Sequence, residues 1–164
     1  MFVMISIIVV VLFTLIILKA ICIVPDNYSY VIERKGQFYQ IYERGTHFVN
    51  PLLDKIVCKC YLNDMQTDIC KQPIITNDNQ VVNIDGYVTF KITNVQLYAY
   101  AVENVNIALS TLTATTIRNI FCDYSQYDVI NNTNQLSDKI LNIVQEASKS
   151  WGINILNITY TIDM

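Results

Sequence analysis

A chain of 164 residues whose first 24 are almost wholly apolar leaves about 140 for a water-soluble part, room for one compact domain rather than two. With 11 Lys and Arg against 14 Asp and Glu the net charge is -3, so no basic surplus exists to neutralise phosphates, and nucleic acid is excluded as an expected partner. Five cysteines, Cys22, Cys58, Cys60, Cys70 and Cys122, form an odd set without repeated spacing, unlike a secreted disulfide framework, which points to a reducing compartment.

From Met1 to Leu18 there is no charged residue, and after Lys19 the apolar run resumes from Ala20 to Val24 before Pro25 stops it. At about 1.5 Å rise per residue, 20 or more such residues cross the roughly 30 Å hydrocarbon core of a bilayer. Only Ser6 and Thr14 interrupt the first 18 positions, so this helix has no polar face, and Phe2, Ile5, Ile8, Val11, Leu15, Leu18, Ile21 and Val24 are its lipid-facing anchor residues. No Lys or Arg precedes the run and no small-x-small site precedes Pro25, which favours an anchor over a cleaved signal peptide. The nearest basic residues, Lys19, Arg34, Lys35 and Arg44, all follow the run, and the positive-inside rule then puts the domain in the cytoplasm, on a single-pass or hairpin anchor. Cys22, at the membrane boundary, is a candidate for S-palmitoylation, with plain apolar filling as the competing reading.

The remainder, residues 25–164, opens with a predicted hairpin: Tyr28 to Arg34, a Lys35-Gly36 turn, and Gln37 to Tyr42. Short strands over Lys55 to Leu62 and Met65 to Cys70 flank the turn pair Asn63-Asp64. Between Val81 and Ile92, Val82, Ile84, Val88, Phe90 and Ile92 alternate with Asn83, Asp85, Tyr87, Thr89 and Lys91, the pattern of a strand with one buried face. The period then becomes helical over Val95 to Ala101, Asn106 to Phe121 and Asn134 to Ser150, the last stopped by Gly152 as a C-cap. A final strand, Ile153 to Ile162, alternates imperfectly. Strands first and helices later predict an α+β domain, a mostly antiparallel sheet with helices packed on one face.

Several motifs in this order carry a resemblance. Val24-Pro25-Asp26-Asn27-Tyr28 leads to Glu33-Arg34-Lys35-Gly36; Gly45-Thr46-His47-Phe48-Val49-Asn50-Pro51-Leu52-Leu53-Asp54-Lys55-Ile56 reads Gly-x-x-Phe-x-x-Pro-x-x-Asp-x-Ile; Thr76-Asn77-Asp78-Asn79, Thr116-Ile117-Arg118 and Glu146-Ala147 to Trp151-Gly152-Ile153 follow. Over nearly the whole chain this resembles the stomatin, prohibitin and flotillin superfamily, also called band 7 or SPFH, in particular its stomatin-like branch. Two departures are Cys122, where the family pattern has Gly, and Asn132, where it has Arg. Family members also continue past the final strand into an Ala/Glu-rich coiled coil, whereas this sequence stops at Met164. The resemblance implies a membrane-anchored scaffold that forms homo-oligomers at the bilayer surface and organises lipids and neighbouring membrane proteins such as channels or proteases, without catalysing a reaction.

The residues themselves offer little chemistry. The one histidine, His47, sits in a predicted loop with no partner at zinc-site spacing, and Cys58 and Cys60 share a strand face with no second pair. Asp54, Asp64, Asp68, Asp78 and Asp85 are scattered through strands and turns, and four glycines build no phosphate loop. No catalytic, cofactor-binding or metal-ligating residue is therefore assigned. The apolar segment Phe48, Val49, Pro51, Leu52 and Leu53 is the candidate membrane-contact loop, with core packing as the alternative. Tyr98, Tyr100, Tyr124 and Tyr127 could line a partner surface or pack between helix and sheet. Two other functions would account for the same chain: a regulator of a membrane protease, and a membrane-tethered enzyme with an unrecognised site.

Overall fold

The computed structural model describes Met4 and residues 20–163, and the chain divides into two compact units, Met1–Leu62 and Asn63–Met164. In the first unit, β1 (Ile21–Val24) pairs with β4 (Gly45–Phe48), while β2 (Tyr28–Arg34) lies between β3 (Gln37–Tyr42) and β5 (Asp54–Tyr61), every pairing being antiparallel. The expected β2–β3 hairpin is present, and Lys35 and Gly36 both take positive φ (54° and 79°), the turn whose twist matches that of the flanking strands. A small core of Val24, Tyr30, Ile32, Tyr42 and Val49 is flanked by Cys22, Tyr28 and Ile56.

The expected N-terminal helix does not include Ile21 to Val24: these residues are strand, and Val24 is 2% exposed in that core. Ile21, Ile23 and Val24 are β-branched and suit a pleated surface, and Gly45–Phe48, expected as loop, supplies their partner. The other anchor positions, Phe2, Ile5, Ile8, Val11, Leu15 and Leu18, lie outside the described residues. Among the described residues no helix is long and apolar enough to cross a membrane.

The second unit follows the expected α+β plan. Its sheet has the order β6 (Met65–Ile75), β7 (Val81–Ile92), β8 (Ile153–Asp163), all antiparallel. The helices are α1 (Val95–Ala101), α2 (Val105–Phe121), α3 (Gln126–Asn131) and α4 (Thr133–Ser148), with a 3₁₀ turn over Lys149–Trp151. Val82, Ile84, Val88, Phe90 and Ile92 of β7 are buried together with Leu109, Ile117 and Phe121 of α2 and Leu136, Ile140 and Val144 of α4. The single sheet expected from sequence is thus three sheets among the described residues, and Asn63-Asp64 separates strands of different sheets rather than paired ones.

β-Bulges explain the imperfect alternation. On β8, Thr89 faces Asn157 but Phe90 faces Ile155, so Leu156 is an extra residue; Ile153 and Ile155 point inward before it, Ile158 and Tyr160 after it. On β6 a bulge between Ile69 and Gln72 shifts the inward phase from Ile69 to Ile74. Two glycines are sterically required. A Cβ on Gly86 would lie 2.2 Å from the Thr159 carbonyl oxygen, and Gly152 ends the α4 segment at φ +71° with its missing Cβ 2.4 Å from the Asn94 oxygen. Cys122, where the family pattern has Gly, has φ -61°, a conformation open to any residue, which removes the need for glycine there.

Candidate membrane-contact site

The Glu-Arg-x-Gly and Pro-x-x-Asp motifs meet in space. Arg34, the last residue of β2, donates from Nε to Asp54 Oδ1 at 2.6 Å and from Nη2 to Oδ2 at 3.1 Å, a bidentate pair with the Asp54 side chain fully buried. The guanidinium also lies 3.7 Å from the centre of the Tyr39 ring. Asp54 Oδ2 accepts the Asn50 backbone N–H (2.9 Å), Asn50 Oδ1 accepts that of Leu52 (3.0 Å), and the Asn50 carbonyl accepts those of Leu53 and Asp54. The Lys35 N–H reaches the Leu53 carbonyl at 3.3 Å, so the β2–β3 turn abuts this second turn. The hydrogen bond from Arg34 holds the Asp54 carboxyl below the ordinary carboxylate range and raises the Arg34 guanidinium further. A charged clamp thus fixes the backbone of residues 50–54.

The clamp presents apolar side chains to solvent. Leu52 is 82% exposed and Leu53 43%, and Phe48, at the end of β4, is 73% exposed. Opposite residues of an antiparallel pair share a face, so Phe48 lies beside Ile21, and Ile23 beside Thr46, on the outer side of the β1–β4 ribbon. Ile23 is 70% exposed, giving one outward face of Ile21, Ile23 and Phe48 with the Leu52-Leu53 turn following. Solvated proteins seldom expose so many large apolar side chains in one short stretch without a use for them. The opposite face of the ribbon is anchored inward: the Tyr42 hydroxyl donates to the Phe48 carbonyl at 2.9 Å, and the Val49 N–H donates to the Ala20 carbonyl at 2.8 Å. The chain therefore enters the domain from its apolar leader at the same place where Phe48 is displayed.

The expected contact loop divides accordingly. Phe48, Pro51, Leu52 and Leu53 are exposed, but Val49 is buried and belongs to the small core, because residues alternate sides on leaving β4. Ile21 and Ile23 join the face; the apolar run alone puts Ile21 within a helix and gives Ile23 no site role, and the signal that marks them is their i, i+2 spacing before a proline. Cys22 is half-buried on the Val24 side and packs against the core, so a lipid chain there would displace that packing. His47 is in strand β4 rather than loop, its ring stacked on Tyr42 (4.4 Å, 7°) with Nε2 2.7 Å from the Glu43 carbonyl oxygen.

The remaining candidates are dispersed. Asp78 accepts from the Thr76 hydroxyl and from the Gln126 N–H at the start of α3, and the Thr76 hydrogen bond lowers its pKa. Asp68 and Asp85 line an open cleft of about 250 Å³ with Tyr87 and Thr161. Tyr98 and Tyr124 pack on the larger core, whereas Tyr100 and Tyr127 are exposed. Among the described residues no group of three or more His, Cys, Asp or Glu side chains could hold a metal ion.

Comparison with known proteins agrees with the motifs. Residues 22–161 match the SPFH domain / Band 7 family. A stomatin-like protein of Caenorhabditis elegans is 30% identical over 133 residues, 81% of this chain and 41% of that protein; stomatin-like protein 2, mitochondrial, of Rattus norvegicus is 30% identical over 136 residues, 83% and 38% respectively. An uncharacterized protein of Mycobacterium tuberculosis is 26% identical over 151 residues, 92% of this chain and 40% of that protein. The chain thus spans about 40% of the length of these relatives. With two interlocking motifs in the first unit, the α+β plan of the second and a match from Cys22 to Thr161, the chain belongs to the SPFH domain / Band 7 family.

Proposed function

We propose that this chain is a membrane-anchored scaffold: residues 1–19 tether it, the Ile21–Ile23–Phe48 face and the Leu52-Leu53 turn lie in the headgroup region, and the domains associate laterally to organise lipids and neighbouring membrane proteins. One observation carries the reading, the rigidly clamped apolar face at the point where the chain leaves its apolar leader. Burying apolar surface contributes about 25 cal/mol per Å², so exposed Phe and Leu side chains gain from the acyl boundary what they lose in water. Lys35, beside the turn, suits anionic headgroups. Membership of a family generally made of membrane-associated, non-enzymatic scaffolds supports the same reading. Positive-inside reasoning puts the domain on the cytoplasmic side.

The tether and the face act together through effective concentration, so each is testable apart. A chain beginning at Ala20, which retains β1, is expected to float with anionic vesicles and to lose that association on the double substitution Phe48→Ser and Leu52→Ser. A folded Ala20–Met164 chain with no vesicle affinity at all would refute the contact face.

A further inference from the structure

Cys58 and Cys60 lie on one side of β5 with their sulfurs 3.2 Å apart. Their ladder partners on β2, Val31 and Ser29, are buried, and so is Cys60, at 1% exposed, while Cys58 is half-buried. We propose that this pair is a reversible oxidation site for hydroperoxides, with Cys58 as the attacking sulfur and Cys60 as the resolving one.

The geometry selects this chemistry over metal binding. Two thiolates on a tetrahedral zinc, each at about 2.3 Å, stand roughly 3.8 Å apart. The observed separation is shorter, and among the described residues no third ligand completes a set. A disulfide needs a sulfur separation near 2.05 Å and a Cα separation of about 4.4–6.8 Å, and two strand residues i and i+2 rise roughly 6.6 Å, within that range but at its far end. Closing the sulfurs from 3.2 Å to that length also brings the two Cβ atoms to about 3.5–4.5 Å, closer than the strand spacing, so the bond forms with a local pucker of β5 at Lys59, and that strain makes it readily reduced, the property of a regulatory disulfide rather than a structural one.

The two sulfurs differ in the way the reaction needs. Cys60, deeper, donates its S–H to Cys58, which is held down to about 7, while the same bond and burial push Cys60 up. The Cys58 thiolate attacks one peroxide oxygen, the O–O bond breaks, and Cys58 becomes a sulfenic acid with release of hydroxide. That hydroxide takes the Cys60 proton to form water. The Cys60 thiolate then attacks the Cys58 sulfur, forming the S–S bond and breaking the S–O bond; the sulfenic oxygen leaves as hydroxide, which takes up the proton that Cys58 released to solvent on ionising and becomes the second water. Two thiols are oxidised by two electrons and one peroxide is reduced to two waters; an external thiol restores the pair.

Lys59 lies between the two cysteines, which supplies a direct readout. The folded full chain in detergent micelles is treated with hydrogen peroxide, its free thiols are alkylated, and it is denatured and digested with trypsin. The proposal predicts peptides 56–59 and 60–71 joined through Cys58 and Cys60, formed about tenfold faster than Cys70 or Cys122 is oxidised, given the thiolate fraction near neutral pH. Dithiothreitol separates them, and in Cys60→Ser a dimedone adduct accumulates on Cys58. Alkylation of both Cys58 and Cys60 while Cys70 and Cys122 are already oxidised would overturn the proposal, as would a bridge from either residue to Cys70.

Discussion

Individual residues show where this chain stores its precision. Asparagine, abundant throughout, caps helices and turns corners here: Asn94 and Asn104 accept the Leu97 and Ile107 N–H groups, and Asn27 and Asn79 adopt positive φ. Thr113 is the opposite case. Its hydroxyl is fully buried without a hydrogen-bond partner among the described residues, so Thr113→Val, which keeps the shape and removes the unpaired group, is expected to raise stability by about 1 kcal/mol in thermal unfolding. Gly86→Ala acts the other way, forcing a methyl group against β8 backbone at a cost of roughly 1–3 kcal/mol in the same assay. Asp54 sets an acid limit. Its pKa is lowered in the folded state, so its contribution is fully present above the unfolded value near 4 and is lost as pH falls through the lower folded value. Asp54→Asn is expected to destabilise the chain at neutral pH and to flatten the decline of its unfolding midpoint below about pH 4, the unfolded carboxylate value.

At the level of elements, hydrophobic period and turn chemistry made much of the fold legible. The β7 alternation, the Lys35-Gly36 hairpin and Gly152 at the end of the α4 segment are all as the residues imply. Three kinds of feature escaped. Bulges at Leu156 and between Ile69 and Gln72 depend on the partner strand, which a single segment does not reveal. The short helix α3 owes its start to the Ser125 cap and to Asp78, 48 residues earlier than Gln126, a non-local contact. Finally β1 continues an apolar run whose hydropathy belongs to a helix, and only its pairing with β4 distinguishes it. The same limit applied to the contact face: Phe48, Leu52 and Leu53 were legible as apolar residues in a Pro-containing stretch, whereas the burial of Val49 follows from ladder geometry. Helix α2 offers a test at this scale. Asn104→Ala removes the side-chain cap from the Ile107 N–H and should cost about 1 kcal/mol, read as a lower unfolding midpoint.

For the whole molecule, a scaffold needs two properties, a fixed stance on the membrane and lateral association. Association through heterologous contacts would generate rings or open arrays according to the rotation between neighbours. Oligomers larger than a dimer are therefore expected when the full chain is sized in mild detergent across a range of concentrations, and a monomer throughout would remove the lateral part of the reading. In the proposed reading the stance rests on the exposed Ile21–Ile23–Phe48 face and the Leu52-Leu53 turn. It is tested most directly by tryptophan emission from full-length Phe48→Trp and Leu52→Trp chains reconstituted in bilayers with bromine on the acyl chains near the headgroups. The difference between each variant and the parent chain, whose one tryptophan is Trp151, isolates the new side chain. A headgroup-embedded face predicts that the added emission is blue-shifted and strongly quenched by the bromolipid. Added emission that is red-shifted, as in water, and unquenched at both positions would contradict it.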